Sequence, residues 1–213
     1  MKEYFITSEK GTGEVVEKKS RFIAHVIPIT SEEEALEQIE ALKKEYWDAR
    51  HNCHAFVVGA NNEVQRFSDD GEPQGTAGKP ILEVLLNKDV HNTLILVTRY
   101  FGGTLLGTGG LIRAYGQAAL EGLKDAEVME VSDGVSFKVK VDYESIGKIK
   151  YNMVQFGVGN ATEDYGEDIT LDIKMKKDDF EKFKTSVIDA TSGKAEFINI
   201  EDCEYREKAK LDG

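Results

Sequence analysis

The sequence predicts an α+β protein of two domains, and three observations carry the prediction. The last third alternates strands and apolar-faced helices in the order βαββαβ. The first two thirds mix hairpin signals with three helices and one continuous apolar strand. An acidic, polar stretch from Asp125 to Gly134 separates the two parts, so the expected domains are residues 1–134 and 135–213.

In the first part, Phe22 to Ile29 reads as a strand. Ser31 and Glu34 then form a capping-box pattern, opening a helix whose predicted inner face is Leu36, Ile39 and Leu42. Cys53–Val58 and Val64–Phe67 flank Ala60-Asn61-Asn62 and predict a hairpin. Thr76 is placed to cap a helix with Pro80 in its first turn and Ile81, Leu82 and Leu85 inside. Leu94 to Thr98 is an unbroken β-rich apolar run, as expected of a central strand. A glycine-rich loop over Gly102–Gly110 leads into a helix from Leu111 to Leu123.

The second part has a clearer period. Ser136 to Val141 turns Phe137, Val139 and Val141 to one face. Ile146, Ile149 and Met153 keep helical spacing, and Gly157 is a natural stop. Val158–Tyr165 and Ile169–Met175 are strands across the turn Gly166-Glu167. The latter buries Ile169, Leu171, Ile173 and Met175. Asp178 is placed to cap a helix carrying Phe180, Phe183 and Val187, which stops near Gly193. A last strand holds Phe197 and Ile200. This order is the split βαβ pattern of a ferredoxin-like domain.

Composition narrows the function classes. The chain has 213 residues, 40% of them hydrophobic, 31% charged and only 3 proline, which suits a folded chain. Neither a basic-then-apolar start nor a long apolar run is present, so the reading is cytoplasmic with no membrane segment. Cys53 and Cys203 are far apart and read as reduced thiols. A formal net charge of −12 argues against broad nucleic-acid or DNA binding, because phosphate contacts need clustered Lys and Arg.

Two segments could carry chemistry. Ser68 to Pro80 places Asp69, Asp70 and Glu72 in one loop entering a helix. Three carboxylates could hold Mg²⁺, but the same residues serve turns and helix N-termini, and that structural reading is favoured. Arg99 to Arg113 carries Gly102, Gly103, Gly107, Gly109 and Gly110 between a buried strand and a helix. Glycine lets backbone N–H groups converge on an anion at the helix start, where Arg99 and Arg113 could both reach it. The alternative pairs these arginines with Asp69, Asp70 or Glu72. The spacing is neither the dinucleotide fingerprint nor the P-loop. A Cys–His reading of His51, Cys53 and His54 is weak, because Cys53 and His54 should point to opposite faces. Zinc lacks ligands, His25 and His91 form no constellation, and Trp47 and Tyr46 are expected in the core.

Together, SDDGEPQGTAGKP and VTRYFGG..LG.GGLIRAYG resemble the signature of the YigZ/Impact family, and Arg50-His51-Asn52-Cys53 and Ser20-Arg21-Phe22 agree with it. The resemblance spans essentially the whole chain. It implies a ribosomal protein S5 domain 2-like first domain and a ferredoxin-like second domain similar to the last domain of elongation factor G. It also implies work around translation and its regulation under stress. The kinase-restraining role of the animal relatives, which goes with a further N-terminal domain, is not carried over.

The expected function is therefore a translation-associated binding protein contacting ribosome, RNA or a translation-related protein. On the uncovered face of the second domain, Lys138, Lys140, Lys174 and Lys176 would form a local basic stripe. No aromatic stands there to stack bases, so a sequence-specific single-strand reader is not expected. The alternative is an enzyme or binding protein for a phosphorylated small molecule at Gly102–Gly110, with no nucleophile evident. A scaffold whose glycine loop is architectural is the third reading.

Overall fold

The computed structural model describes residues 3–159 and 161–211. The elements in chain order are β1 (Tyr4–Thr7), β2 (Gly11–Glu17), β3 (Ser20–Pro28), α1 (Glu32–Glu45), β4 (His51–Val58), β5 (Val64–Ser68), α2 (Gly78–Asn87), β6 (Val90–His91), β7 (Thr93–Tyr100) and α3 (Gly107–Asp125). There follow β8 (Val128–Val141), α4 (Ile146–Gln155), β9 (Thr162–Tyr165), β10 (Ile169–Lys176), α5 (Lys177–Ala190) and β11 (Glu196–Ala209). Two compact units result. Tyr4–Glu130 with the residues from Glu207 onward form the first, and Val131–Arg206 the second. Within the polar stretch from Asp125 to Gly134 the chain is already in β8, which buries Val128 and Val131. No helix among the described residues is long and apolar enough to cross a membrane.

The first unit is built on an antiparallel five-stranded sheet in the order β2-β3-β7-β4-β5. The apolar run of β7 takes the middle position, as its lack of alternation requires when both faces are covered. One face packs Phe22, Ala24, Val26, Cys53, Ala55, Ile95 and Val97 against α2 and α3. The other packs Ile27, Phe56, Leu94 and Leu96 against Ala35 and Ile39 of α1. The α1 stripe is thus Ala35, Ile39 and Leu42, and Leu36 is 51% exposed. Trp47, expected inside, is 81% exposed, while Tyr46 packs on the His25 ring at 4.8 Å. A close backbone approach explains β2, whose sequence shows no strand period. A Cβ on Gly13 would stand 2.4 Å from the Gly122 nitrogen of α3. Only glycine lets helix and strand meet so closely.

In the second unit the sheet order is β11-β8-β10-β9, with the first and third strands of the βαββαβ motif central. One core joins Phe137, Val139, Leu171 and Ile173 to Ile149 and Met153 of α4 and to Phe180, Phe183 and Val187 of α5. Gly157 and Gly193 have φ of +63° and +79°, the left-handed turns that end these helices. Two expectations shift. The strand expected at Val158–Tyr165 begins at Thr162, with Asn160 outside the described residues. No side chain caps α5, so Asp178 lies in its first turn and suits the helix dipole there.

Candidate functional site

The register β3–β7–β4 sets Phe22, Arg99 and His51 in one row at the end of the sheet, on the face covered by α2 and α3. The chain then leaves β7 through Phe101-Gly102-Gly103. Gly102 is pressed against the turn before β3, where a Cβ would stand 2.1 Å from the Lys19 carbonyl carbon, and its N–H bonds Ser20 Oγ at 3.1 Å. Gly103 and Gly107 adopt φ of +85° and +71°, and α3 starts at Gly107. The glycines therefore divide: Gly102 and Gly103 shape the loop, while Gly107, Gly109 and Gly110 form the first turn of the helix.

The Ser68–Pro80 loop closes on the same region, but its carboxylates do not converge. Asp69 accepts from the N–H groups of Gly75, Ala77 and Gly78 at 2.8, 3.0 and 2.9 Å, so it caps α2 from a distance. Thr76, expected as that cap, turns its hydroxyl to the Pro73 carbonyl at 2.6 Å. Asp70 accepts from Lys43 Nζ at 2.6 Å and from the Asn52 N–H at 2.7 Å. Burial works to raise its pKa, but these two donors outweigh it and hold the carboxyl below its ordinary value. Glu72 accepts from Arg99 Nη1 at 2.5 Å and from the Tyr115 hydroxyl at 2.8 Å. Each acid is engaged by a different protein donor. Among the described residues no three His, Cys, Asp or Glu side chains are placed together to hold a metal ion.

Arg99 is 6% exposed, its guanidinium 5.4 Å from the Phe22 ring centroid and 5.7 Å from that of Phe101. The pairing with Glu72 is the structural alternative the sequence offered, yet Arg99 also lines a pocket. That pocket, of about 440 Å³, is bounded by Arg50, His51, Glu72, Arg99, Phe101 and the start of α3 with Leu105 and Leu106. Arg113 is exposed and does not line it, so the expected pair of Arg99 and Arg113 is not brought together. Arg50 takes that place: it is exposed at the rim and makes no ion pair among the described residues. His51 Nδ1 lies 2.9 Å from the Asp70 carbonyl. The carbonyl can only accept, so Nδ1 carries a proton and donates. No side chain caps α3, whose first turn holds no acidic residue. Its free N–H groups and dipole favour an anion.

Sequence reasoning missed Arg50, His51, Phe101, Leu105 and Leu106 as pocket residues. The register that sets His51 opposite Arg99 leaves no local trace in the sequence. The Cys–His reading fails on geometry. Cys53 is fully buried, its Sγ 2.9 Å from the Asp69 carbonyl and 3.4 Å from the Tyr115 hydroxyl, and burial pushes the thiol up to about 12. A thiol held protonated is no nucleophile. His54 turns to the opposite face, with Nδ1 3.4 Å from the Asn52 carbonyl. His91 stacks on Tyr4 at 4.6 Å and contacts Gly59 O and Asp89 Oδ1, a packed role.

On the second unit the lysine stripe is interleaved with acids. Lys140 lies 3.1 Å from Asp168, and Lys138 lies 4.0 Å from Asp172, its register partner. Lys176 also has a partner, and Lys174 lines a shallow surface with Glu204, Tyr205 and Arg206.

These features define a two-unit α+β protein: a five-stranded α/β unit with a pocket lined by Arg50, Arg99 and the start of α3, and a ferredoxin-like unit. Comparison with known proteins places it further. The Impact N-terminal domain model matches residues 18–123, and a domain of unknown function (DUF1949) matches residues 139–194. The chain is 40% identical over 206 residues to the IMPACT family member YvyE of Bacillus subtilis (strain 168), covering 97% of this chain and 94% of YvyE. It is 34% identical to the IMPACT family member YigZ of Escherichia coli (strain K12), covering 87% and 92%. A crystal structure described as that of a hypothetical protein aligns over 94% of this chain and 98% of its own, at 32% identity and a TM-score of 0.59. The chain belongs to the IMPACT family.

Proposed function

We propose that this chain is a translation-associated binding protein that engages its partner through an anion accepted in the pocket of the first unit. One observation carries the reading. The uncapped N-terminus of α3, the free guanidinium of Arg50 and the buried guanidinium of Arg99 all face the same opening. Such convergence of fixed donors is how folds hold phosphate or carboxylate groups. The translation half of the reading comes from family resemblance, and the ribosome is its first partner to test. The lysine stripe supports contact with RNA less well, since two of its four charges are paired with Asp168 and Asp172. An enzyme at this pocket also finds less support, because its lining holds no cysteine, serine or lysine to act as nucleophile.

Co-sedimentation with ribosomes at low and moderate salt tests the proposal. The wild-type chain should comigrate at low salt and dissociate as salt rises, whereas Arg50→Glu should remain in the supernatant. A wild-type chain that stays soluble at low salt overturns the translation reading.

A further inference from the structure

The chemistry of the pocket wall narrows what it can take. Arg99 is more than nine-tenths buried, and its Nε–H has no acceptor among the described residues. An unpaired buried donor is costly, and such groups are retained mainly where something else meets them. Glu72 does not supply that acceptor, because its bond to Arg99 runs through Nη1 and not Nε, and its Oε1 also receives the Tyr115 hydroxyl. It offsets much of the Arg99 charge. The net positive field of the pocket therefore comes from Arg50 and the first amides of α3, and Arg99 stands in the wall beside them. Contrast with α2 sharpens the point: there Asp69 fills the N-terminus from within the chain. At α3 no side chain does so, and Gly107 and Thr108 line the pocket together with Arg50 and Arg99.

The rest of the lining is apolar. Leu105 is 84% exposed at the mouth, and Leu106 and Leu111 continue the wall inward. Phe101 is 46% exposed, with the Arg99 guanidinium near its ring. A flat ring could stack against what Phe101 exposes. His51 donates from Nδ1 to the Asp70 carbonyl, which leaves Nε2 as its second polar atom, able to meet a hydroxyl. At about 440 Å³ the opening lies in the range of small-molecule sites.

We infer that the pocket binds a phosphate monoester attached to a flat ring, the chemistry of a mononucleotide. Its phosphate lies between the α3 N-terminus, Arg50 and Arg99, and its ring lies against Phe101 and the leucines. The inference rests on the anion-pocket reading above and names its ligand class. The source is either a free nucleotide or the phosphorylated end of an RNA strand.

Calorimetric titration of the full chain with inorganic phosphate, ribose 5-phosphate, adenosine and AMP tests it. AMP should bind at least tenfold tighter than each of the other three. Arg50→Ala should weaken AMP tenfold or more while its thermal unfolding stays unchanged, and Leu105→Asp should weaken AMP more than ribose 5-phosphate. AMP binding no tighter than ribose 5-phosphate removes the ring subsite and overturns the inference, as does AMP binding indifferent to Arg50. Competition by a 5′-phosphorylated but not a 5′-hydroxyl oligoribonucleotide assigns the ligand to an RNA end; no competition by either assigns it to a free nucleotide. Ribosome co-sedimentation separates this test from the broader reading. Ribosome binding without AMP binding sinks only the nucleotide inference, and AMP binding without ribosome binding sinks only the translation role.

Discussion

Arg99 is held by Glu72 through Nη1, with the Phe22 and Phe101 rings nearby, while Arg113 stands in solvent fourteen positions along the chain. In sequence the two look equivalent, since each flanks the glycines and each could reach an anion. The difference is register: residue 99 of a central strand points into the α2–α3 face, and an exposed helical position has no such constraint. The two should therefore separate in stability measurements. Truncating Arg99 to Ala strands the Glu72 carboxylate in a buried site, a loss of about 3–5 kcal/mol when one partner of a buried pair is removed. Arg113→Ala should change stability by no more than about 0.5 kcal/mol, as exposed positions do. Urea denaturation of the two single variants decides this, and equal losses would contradict the assignment. It also follows that Arg50, and not Arg99, is the residue to change when binding is tested apart from folding.

At the level of elements, the sheet face under α1 carries two histidines, His25 and His54, both in register with Leu96 of β7. Burial lowers the pKa of each below the ordinary 6.5, against Glu45 near His25 and against Asp70 near His54, where Lys43 lowers it further. The unfolded chain then takes up protons at a higher pH than the folded one. Stability should be level above neutrality and fall as pH drops below about 6.5, since the state binding more protons gains. The depressed Asp70 acts the same way further down, its contribution being lost as pH falls below 3.8 through its folded value. Urea midpoints measured from pH 8 to pH 5 check the first part, and His25→Gln/His54→Gln should flatten the curve over that window. This face also shows what sequence could and could not tell. β7 and the helices α4 and α5 were legible, because an unbroken apolar run and an i, i+3 or i+4 spacing are local signals. The α1 stripe was misassigned because Leu36 outweighs Ala35 in any apolar reading, although the sheet accepts the smaller side chain. The Asp69 cap of α2, the glycine contact of β2 with α3 and the row of Phe22, Arg99 and His51 are long-range relations, and no window of sequence contains them. The candidate site was therefore half legible: its glycines and Arg99 were visible in one segment, but Arg50 and His51 arrive from another strand.

For the whole molecule, a net charge of −12 means that any association with ribosomal RNA must be local. Two local contacts are on offer, in different units: the pocket, with Arg50 and the amides of α3, and the lysine face, with Lys138, Lys140, Lys174 and Lys176. They differ in how many phosphates they neutralise, and that number can be read without a structure of the complex. Each phosphate contact contributes roughly −0.7 to −0.9 to the slope of log affinity against log salt. A pocket that takes a single phosphate group predicts a shallow slope of about −1, because backbone amides hold an anion without releasing further counterions. Engagement of all four lysines predicts about −3 to −4, and Lys138 and Lys140 must give up Asp172 and Asp168 to reach phosphates. Co-sedimentation across a salt series yields the slope, and Arg50→Ala tells which contact produced it. A shallow slope abolished by Arg50→Ala places binding at the pocket. A steep slope indifferent to Arg50 moves it to the second unit, where charge reversal at Lys174 and Lys176 should then release the protein.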